Sequence, residues 1–95
     1  MTYLKVQWNH TFSAEPVLLC SELDDARLEV RKVEVFRDGQ TGHADRRGGS
    51  GQTRLGEEPV PPVAEIAADP QFEPVEITKE EFEDVWEQAR RKWRC

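Results

Sequence analysis

The pattern that most constrains this chain lies near its C-terminus, where Phe82, Val85, Trp86, Ala89 and Trp93 recur at helical spacing. They form one apolar stripe, and a helix carrying such a stripe must bury it against another element. Thr78-Lys79-Glu80-Glu81 fits a capping box, with Thr78 at the N-cap and Glu81 three residues on, and Ile77 can staple to Phe82. Acids in the first turns and Arg90, Arg91, Lys92 and Arg94 in the last complement the helix dipole. The rest of the chain has to supply the surface this helix covers.

That surface reads as sheet. Leu4, Val6 and Trp8 alternate with Lys5 and Gln7 at the period of a half-buried strand. A second strand is expected from Val17 to Leu23, with Pro16 at its head. Asp24-Asp25-Ala26 closes a hairpin into a third, Arg27 to Phe36, in which Leu28 and Val30 are out of phase with Val33 and Val35. A one-residue slip would turn the later pair to solvent, so a β-bulge is expected near Arg31-Lys32. Asp38-Gly39 is a hairpin signal leading to a weak edge strand from Gln40 to about Asp45. The expected fold is α+β, with about four mostly antiparallel strands, the C-terminal helix packed on one sheet face and the other face at least partly wet. Trp86 is expected to rest on Leu4, Val6, Leu19, Val30 and Val33.

Between sheet and helix, Arg46-Arg47-Gly48-Gly49-Ser50-Gly51-Gln52 offers no large apolar residue to offset ordering entropy, which predicts a mobile Gly/Arg-rich loop over about 46–56. A stiff Pro-rich connector follows at 57–62, then a short helix from Pro62 to Ala68, stopped by Asp69-Pro70. At 95 residues, 1–95 make a single domain with a small core.

The formal net charge is -6, which opposes the counterion release that drives nucleic-acid binding and makes nucleic acid an unlikely partner. The charge is also segregated. From Glu57 to Glu87 there are eleven carboxylates and one base, Lys79, so this segment is net -10. The longest apolar runs, such as Val17-Leu18-Leu19-Cys20, fall far short of the roughly twenty residues of a membrane span. The N-terminus begins directly with strand-like alternation, without the regions of a signal peptide, so a soluble cytoplasmic protein is expected. Cys20 and Cys95 do not make a disulfide framework, and Cys20 reads as a reduced strand residue.

Candidate chemistry is thin. His10, Cys20, His43 and Cys95 have no metal-ligand spacing, Cys20 lies among apolar neighbours unsuited to a thiolate nucleophile, and Gly48 to Gly51 open no helix. No catalytic residue, cofactor or metal is expected. Glu29, Arg31, Lys32 and Glu34 alternate in sign, as on a solvated outer sheet face. Trp8-Asn9-His10 puts an aromatic, an amide and an imidazole where a strand gives way to a loop. Two functions follow as expectations. The first is a small acidic, non-enzymatic binding protein, an inhibitor or immunity-like module docking on a protein partner. The alternative is a small ligand-binding domain or enzyme using Trp8, His10, Glu22, Arg31 and Glu34 on the sheet. These separate on whether the five side chains line one concave pocket.

Residues Leu4 to His10, Glu15-Pro16-Val17, Ser21 to Asp24, Glu29 to Phe36 with Asp38-Gly39, Asp69 to Phe72 and Phe82 to Trp86 together resemble a family of small bacterial domains of unknown function. The resemblance covers nearly the whole chain. It implies one compact bacterial domain and carries over no site residue.

Overall fold

The computed structural model describes residues 1–49 and 53–93, with only the backbone described for Lys92 and Trp93. Its elements are β1 (Thr2–Trp8), β2 (Leu18–Leu23), β3 (Glu29–Val35), β4 (Thr41–Asp45), β5 (Gly48–Gly49), α1 (Val63–Ala67), β6 (Phe72–Glu76) and α2 (Lys79–Trp93). The strands form one sheet in the order β5-β4-β3-β2-β1-β6, with every neighbouring pair antiparallel. The fold is α+β as expected, but among the described residues the sheet has six strands rather than about four. Both additional strands sit at its edges, where the chain carries little strand signal: a glycine pair, and a run interrupted by Pro74.

The turns follow local chemistry. Asp24 Oδ1 accepts from the backbone N–H groups of Ala26 and Leu28, and Arg27 takes a left-handed φ of 63° to close the β2–β3 connection. Gly39, at φ 88°, supplies the positive φ of the β3–β4 turn, where Asp38 also accepts from Gln40 N–H. At the start of α2 the capping box is formed as expected: Glu81 N–H donates to Thr78 Oγ1 at 3.1 Å and Thr78 N–H to Glu81 Oε1 at 3.2 Å.

The bulge exists, one residue earlier than expected. Glu22 pairs with Arg31 and Leu23 with Glu29, leaving Val30 as the extra residue. It restores Val33 to the core, but by a different allocation of faces. Arg31, Val33 and Val35 share the α2 side, whereas Glu29 joins Lys32 and Glu34 on the other.

Both faces of the sheet are used. On the first, Phe82, Trp86 and Ala89 bury against Cys20 and Val33, with Tyr3, Leu18, Val35 and Ile77 packed around them. Leu4 and Leu23 are buried on the second face, which the chain from Thr53 through α1 crosses. Trp86 therefore does not rest on Leu4, Val6 and Leu19, because those residues have the opposite parity from Cys20 and point away from α2. The expected place of Trp93 in the stripe falls on a side chain outside the described ones.

The segment over the second face is tied down by specific bonds. Thr53, only 3% exposed, donates through Oγ1 to Glu34 at 2.8 Å; Lys32 Nζ donates to the Arg54 carbonyl at 3.2 Å; and Gly56 N–H donates to Glu29. Arg27 donates from Nε to the carbonyl of Val60 at 2.7 Å and from Nη2 to that of Pro61 at 2.9 Å. The charges of Glu29, Lys32 and Glu34 thus lie beneath this segment rather than on an open outer face. Of the expected mobile loop over 46–56, Gly48–Gly49 pairs as β5 and Thr53 is buried, while residues 50–52 lie outside the described residues.

Candidate functional site

Arg31 is the most heavily engaged polar side chain of the described residues. The β2–β3 register sets it directly opposite Glu22, and the guanidinium grips that carboxylate with Nε to Oε1 at 2.7 Å and Nη2 to Oε2 at 3.0 Å. It also bonds Glu83 from α2, by Nη1 to Oε2 at 3.3 Å and by a contact from Nη2 to Oε1. Tyr3 from β1 donates its hydroxyl to Glu22 Oε2 at 2.9 Å. The guanidinium carbon lies 4.9 Å from the Phe82 ring centre and 5.2 Å from that of Trp86, within cation–π range of both.

This geometry sets the ionisation of the group. Hydrogen bonding to Arg31 holds Glu22 below the usual carboxylate range against the opposing effect of burial, and Glu83 is lowered by the same partner. Arg31 is raised, chiefly by its bond to Glu22. Tyr3 is raised, first by desolvation and then by Glu22. The cluster sets one guanidinium between two carboxylates, leaving one negative charge in excess, and it ties α2 to the sheet. Arg31 holds Glu22 and Glu83 in their charged forms while Tyr3 is kept neutral, so none of the three is poised to exchange a proton as a general acid or base must.

Beside it an open cleft of about 480 Å³ is lined by Arg31, His43, Asp45, Arg47, Trp86 and Arg90, together with β5. The His43 ring meets Trp86 edge-on at 5.3 Å. Burial lowers the His43 pKa and Arg90 adds to the effect, while Asp45 opposes it. The cleft's guanidiniums are offset by Asp45 in its wall and by the two carboxylates already on Arg31.

The five residues singled out in the sequence separate into three places. Glu22 and Arg31 come together as described. Glu34 lies on the opposite face under Thr53. Trp8 and His10 stand at the far end of β1, their rings 4.3 Å apart, with Trp8 stacked on Phe72 at 5.8 Å. His10 is a loop brace: its Nδ1 accepts from Phe12 N–H at 2.9 Å, which leaves Nε2 to donate to the Pro16 carbonyl at 2.7 Å. The set does not line one pocket. Sequence reading missed Tyr3 and Glu83, the partners that complete the Arg31 cluster. An α2 face count finds Glu83 one residue from Phe82, but nothing local marks it as the residue that reaches Arg31.

Clamped in this way, α2 turns Glu80, Asp84 and Glu87 outward, all three exposed at i, i+4 and i+7. Glu73 and Glu76 are exposed on β6, with Val75 at 50% exposure between them. Cys20 is fully buried under α2, where desolvation pushes its thiol up to about 11. Among the described residues no group of three or more His, Cys, Asp or Glu side chains is placed to hold a metal ion, and no helix is long and apolar enough to cross a membrane.

A one-helix cover on one sheet face and a bonded strap on the other define a small two-faced α+β domain. The chain belongs to the family described as Domain of unknown function (DUF6881), whose model matches residues 2–91. No curated protein and no solved structure matches it.

Proposed function

We propose that the chain is a non-enzymatic binding module of the bacterial cytoplasm that docks on a basic protein partner through the outer face of α2, in the manner of an inhibitor or immunity protein. The observation that carries the reading is the exposed carboxylate stripe Glu80, Asp84 and Glu87 on a helix whose inner side is locked by Phe82, Trp86, Ala89 and the Glu83–Arg31 bond. A stripe on a rigid element loses little entropy on docking. A dense patch of one sign accelerates encounter with a partner of the other and disfavours wrong ones. The ligand-binding alternative loses its five-residue form, since Trp8, His10 and Glu34 stand apart from Glu22 and Arg31.

The test begins with capture of partners on the tagged chain, followed by calorimetric titration of the purified partner against wild type and Glu80→Gln/Asp84→Asn/Glu87→Gln. Losing three rim charges should weaken binding about tenfold or more and flatten its salt dependence. Equal affinity and equal salt dependence in the triple variant overturn the reading, as does a chain that captures no specific partner.

A further inference from the structure

We propose that the groove between α1 and the second sheet face is a binding site for a small amphipathic cation, an organic amine or quaternary ammonium with an apolar body. The groove measures about 470 Å³, within the range of small-molecule sites. Its floor is sheet, from Leu4, Val6 and Leu19, and its walls are Phe72 of β6, Val60 of the connector and Ile66 of α1. The space exists because α1 covers this face without filling it: none of its residues is buried. Val63 and Ile66 are only half-buried, while the connector before them is held at fixed height by the Arg27 bonds to Val60 and Pro61.

The charge of the occupant follows from the lining. Three carboxylates, Glu29, Glu65 and Asp69, border the groove, and among the described residues no basic side chain does. Glu29 is committed to the fold, accepting from Ser21 Oγ at 3.1 Å and from Gly56 N–H, with Lys32 Nζ 3.7 Å away. Glu65 on α1 and Asp69 just past its end both stand on the rim, and the only bond of the Asp69 carboxylate among the described residues is from Gln71 N–H to Oδ1 at 2.9 Å. A cationic head between these two carboxylates places its apolar body over Val6 and Leu19. An anion meets only repulsion there, and an uncharged apolar molecule forgoes the rim. The groove lies on the face away from the α2 stripe, so this site and the docking reading stand or fall separately.

Methyl-resolved NMR of the full chain tests it with three probes sharing one apolar body: benzyltrimethylammonium, phenylmethanesulfonate and benzyl alcohol. The cation should give saturable shifts at the Val6, Leu19 and Ile66 methyls, and bind at least about tenfold more tightly than the sulfonate. Glu65→Gln/Asp69→Asn keeps the side-chain shapes and the acceptor for Gln71 N–H; it should weaken the cation about tenfold and leave benzyl alcohol unchanged. Absence of saturable shifts at these methyls overturns the proposal. So does sulfonate binding as well as the cation, or a double variant that binds the cation as tightly as wild type.

Discussion

Arg31 and Glu22 face each other across the β2–β3 ladder and are joined by two parallel hydrogen bonds of 2.7 and 3.0 Å, the guanidinium roofed by Phe82 and Trp86. The Glu22 side chain is only 9% exposed, so the two ends of this pair are unequal in consequence. Arg31→Ala leaves a buried carboxylate with the Tyr3 hydroxyl as its remaining donor, and should cost about 3–5 kcal/mol. Glu22→Leu/Arg31→Met removes both charges together and should lie closer to wild type than Arg31→Ala does. Urea melts of the two variants check the order. Glu83→Gln touches a more exposed partner, 38% accessible, and should cost about 0–1 kcal/mol.

The same cluster sets the acid limb of stability. Glu22 and Glu83 are lowered from 4.5 in the folded chain, so the unfolded chain binds protons first as pH falls. The stability these groups contribute is complete above about pH 4.5 and is lost as pH falls from there through their lowered folded values. His43, lowered from 6.5 by burial, adds an earlier loss that begins as pH falls below that value. Two steps are therefore expected in stability against pH. His43→Gln should flatten the upper one and Glu22→Gln the lower, measured by denaturant melts from pH 8 to pH 3, a range of about five units.

Cys20 should be chemically silent in the native chain. With its thiol fully buried and pushed up to about 11, the thiolate is both scarce and inaccessible at neutral pH. In a Cys95→Ser background, a thiol reagent should modify Cys20 at the rate of global opening and in proportion to denaturant. Fast labelling without denaturant would mean that α2 lifts from β2 and β3 on its own.

Assigning faces predicts how core substitutions combine. Trp86 and Leu4 are both buried but lie on opposite sides of the sheet. Trp86→Ala should cost about 3–5 kcal/mol, a large part of the total stability of so small a domain. In a double-mutant cycle with the gentler Trp86→Phe and Leu4→Val, the two costs should add within about 0.5 kcal/mol. A larger coupling term would mean the faces communicate through the sheet.

How much of this was legible varies by element and for physical reasons. The α2 stripe from Phe82 to Ala89, its capping box and the Asp24 and Asp38-Gly39 turns are local: each is written in residues at most four apart, and each is found where the pattern placed it. The bulge was visible as a phase slip, but its position was not. The apolar pattern cannot tell whether Arg31 or Val30 leaves the core face, and that choice is made at long range by Glu22 and Glu83. The strap over the second face carries no periodicity at all. Its hold on the sheet depends on Thr53, Arg54 and Gly56 meeting Glu34, Lys32 and Glu29, pairs that only the folded chain brings together. Trp8 has the parity of Leu4 and Val6 and faces with them, while the bracing bonds of His10 run through backbone groups that no side-chain pattern reveals.

Pro74 hides the edge strand β6 from its sequence pattern and also shapes the edge that the strand presents. Ile77 N–H bonds the Tyr3 carbonyl and Asn9 N–H the Gln71 carbonyl, which makes Val75 and Glu73 the residues whose backbone groups turn toward β1. Phe72, Pro74 and Glu76 turn theirs toward the open edge. Phe72 N–H is already spent on the Asp69 carbonyl, and Pro74 has none to give, so Glu76 alone of the three retains an outward donor. The flanking carboxylates Glu73 and Glu76 add repulsion to a second copy. This edge is blunted in the way natural sheets avoid pairing edge to edge. Pro74→Thr restores an outward donor in mid-strand at a position already extended, so it should leave the fold intact and raise self-association. Sedimentation of wild type and variant over a concentration series checks this: the variant should show the larger concentration-dependent mass, most clearly at high salt, where the carboxylate repulsion is screened. Identical behaviour of the two chains at low and high salt would mean that Pro74 does not guard this edge.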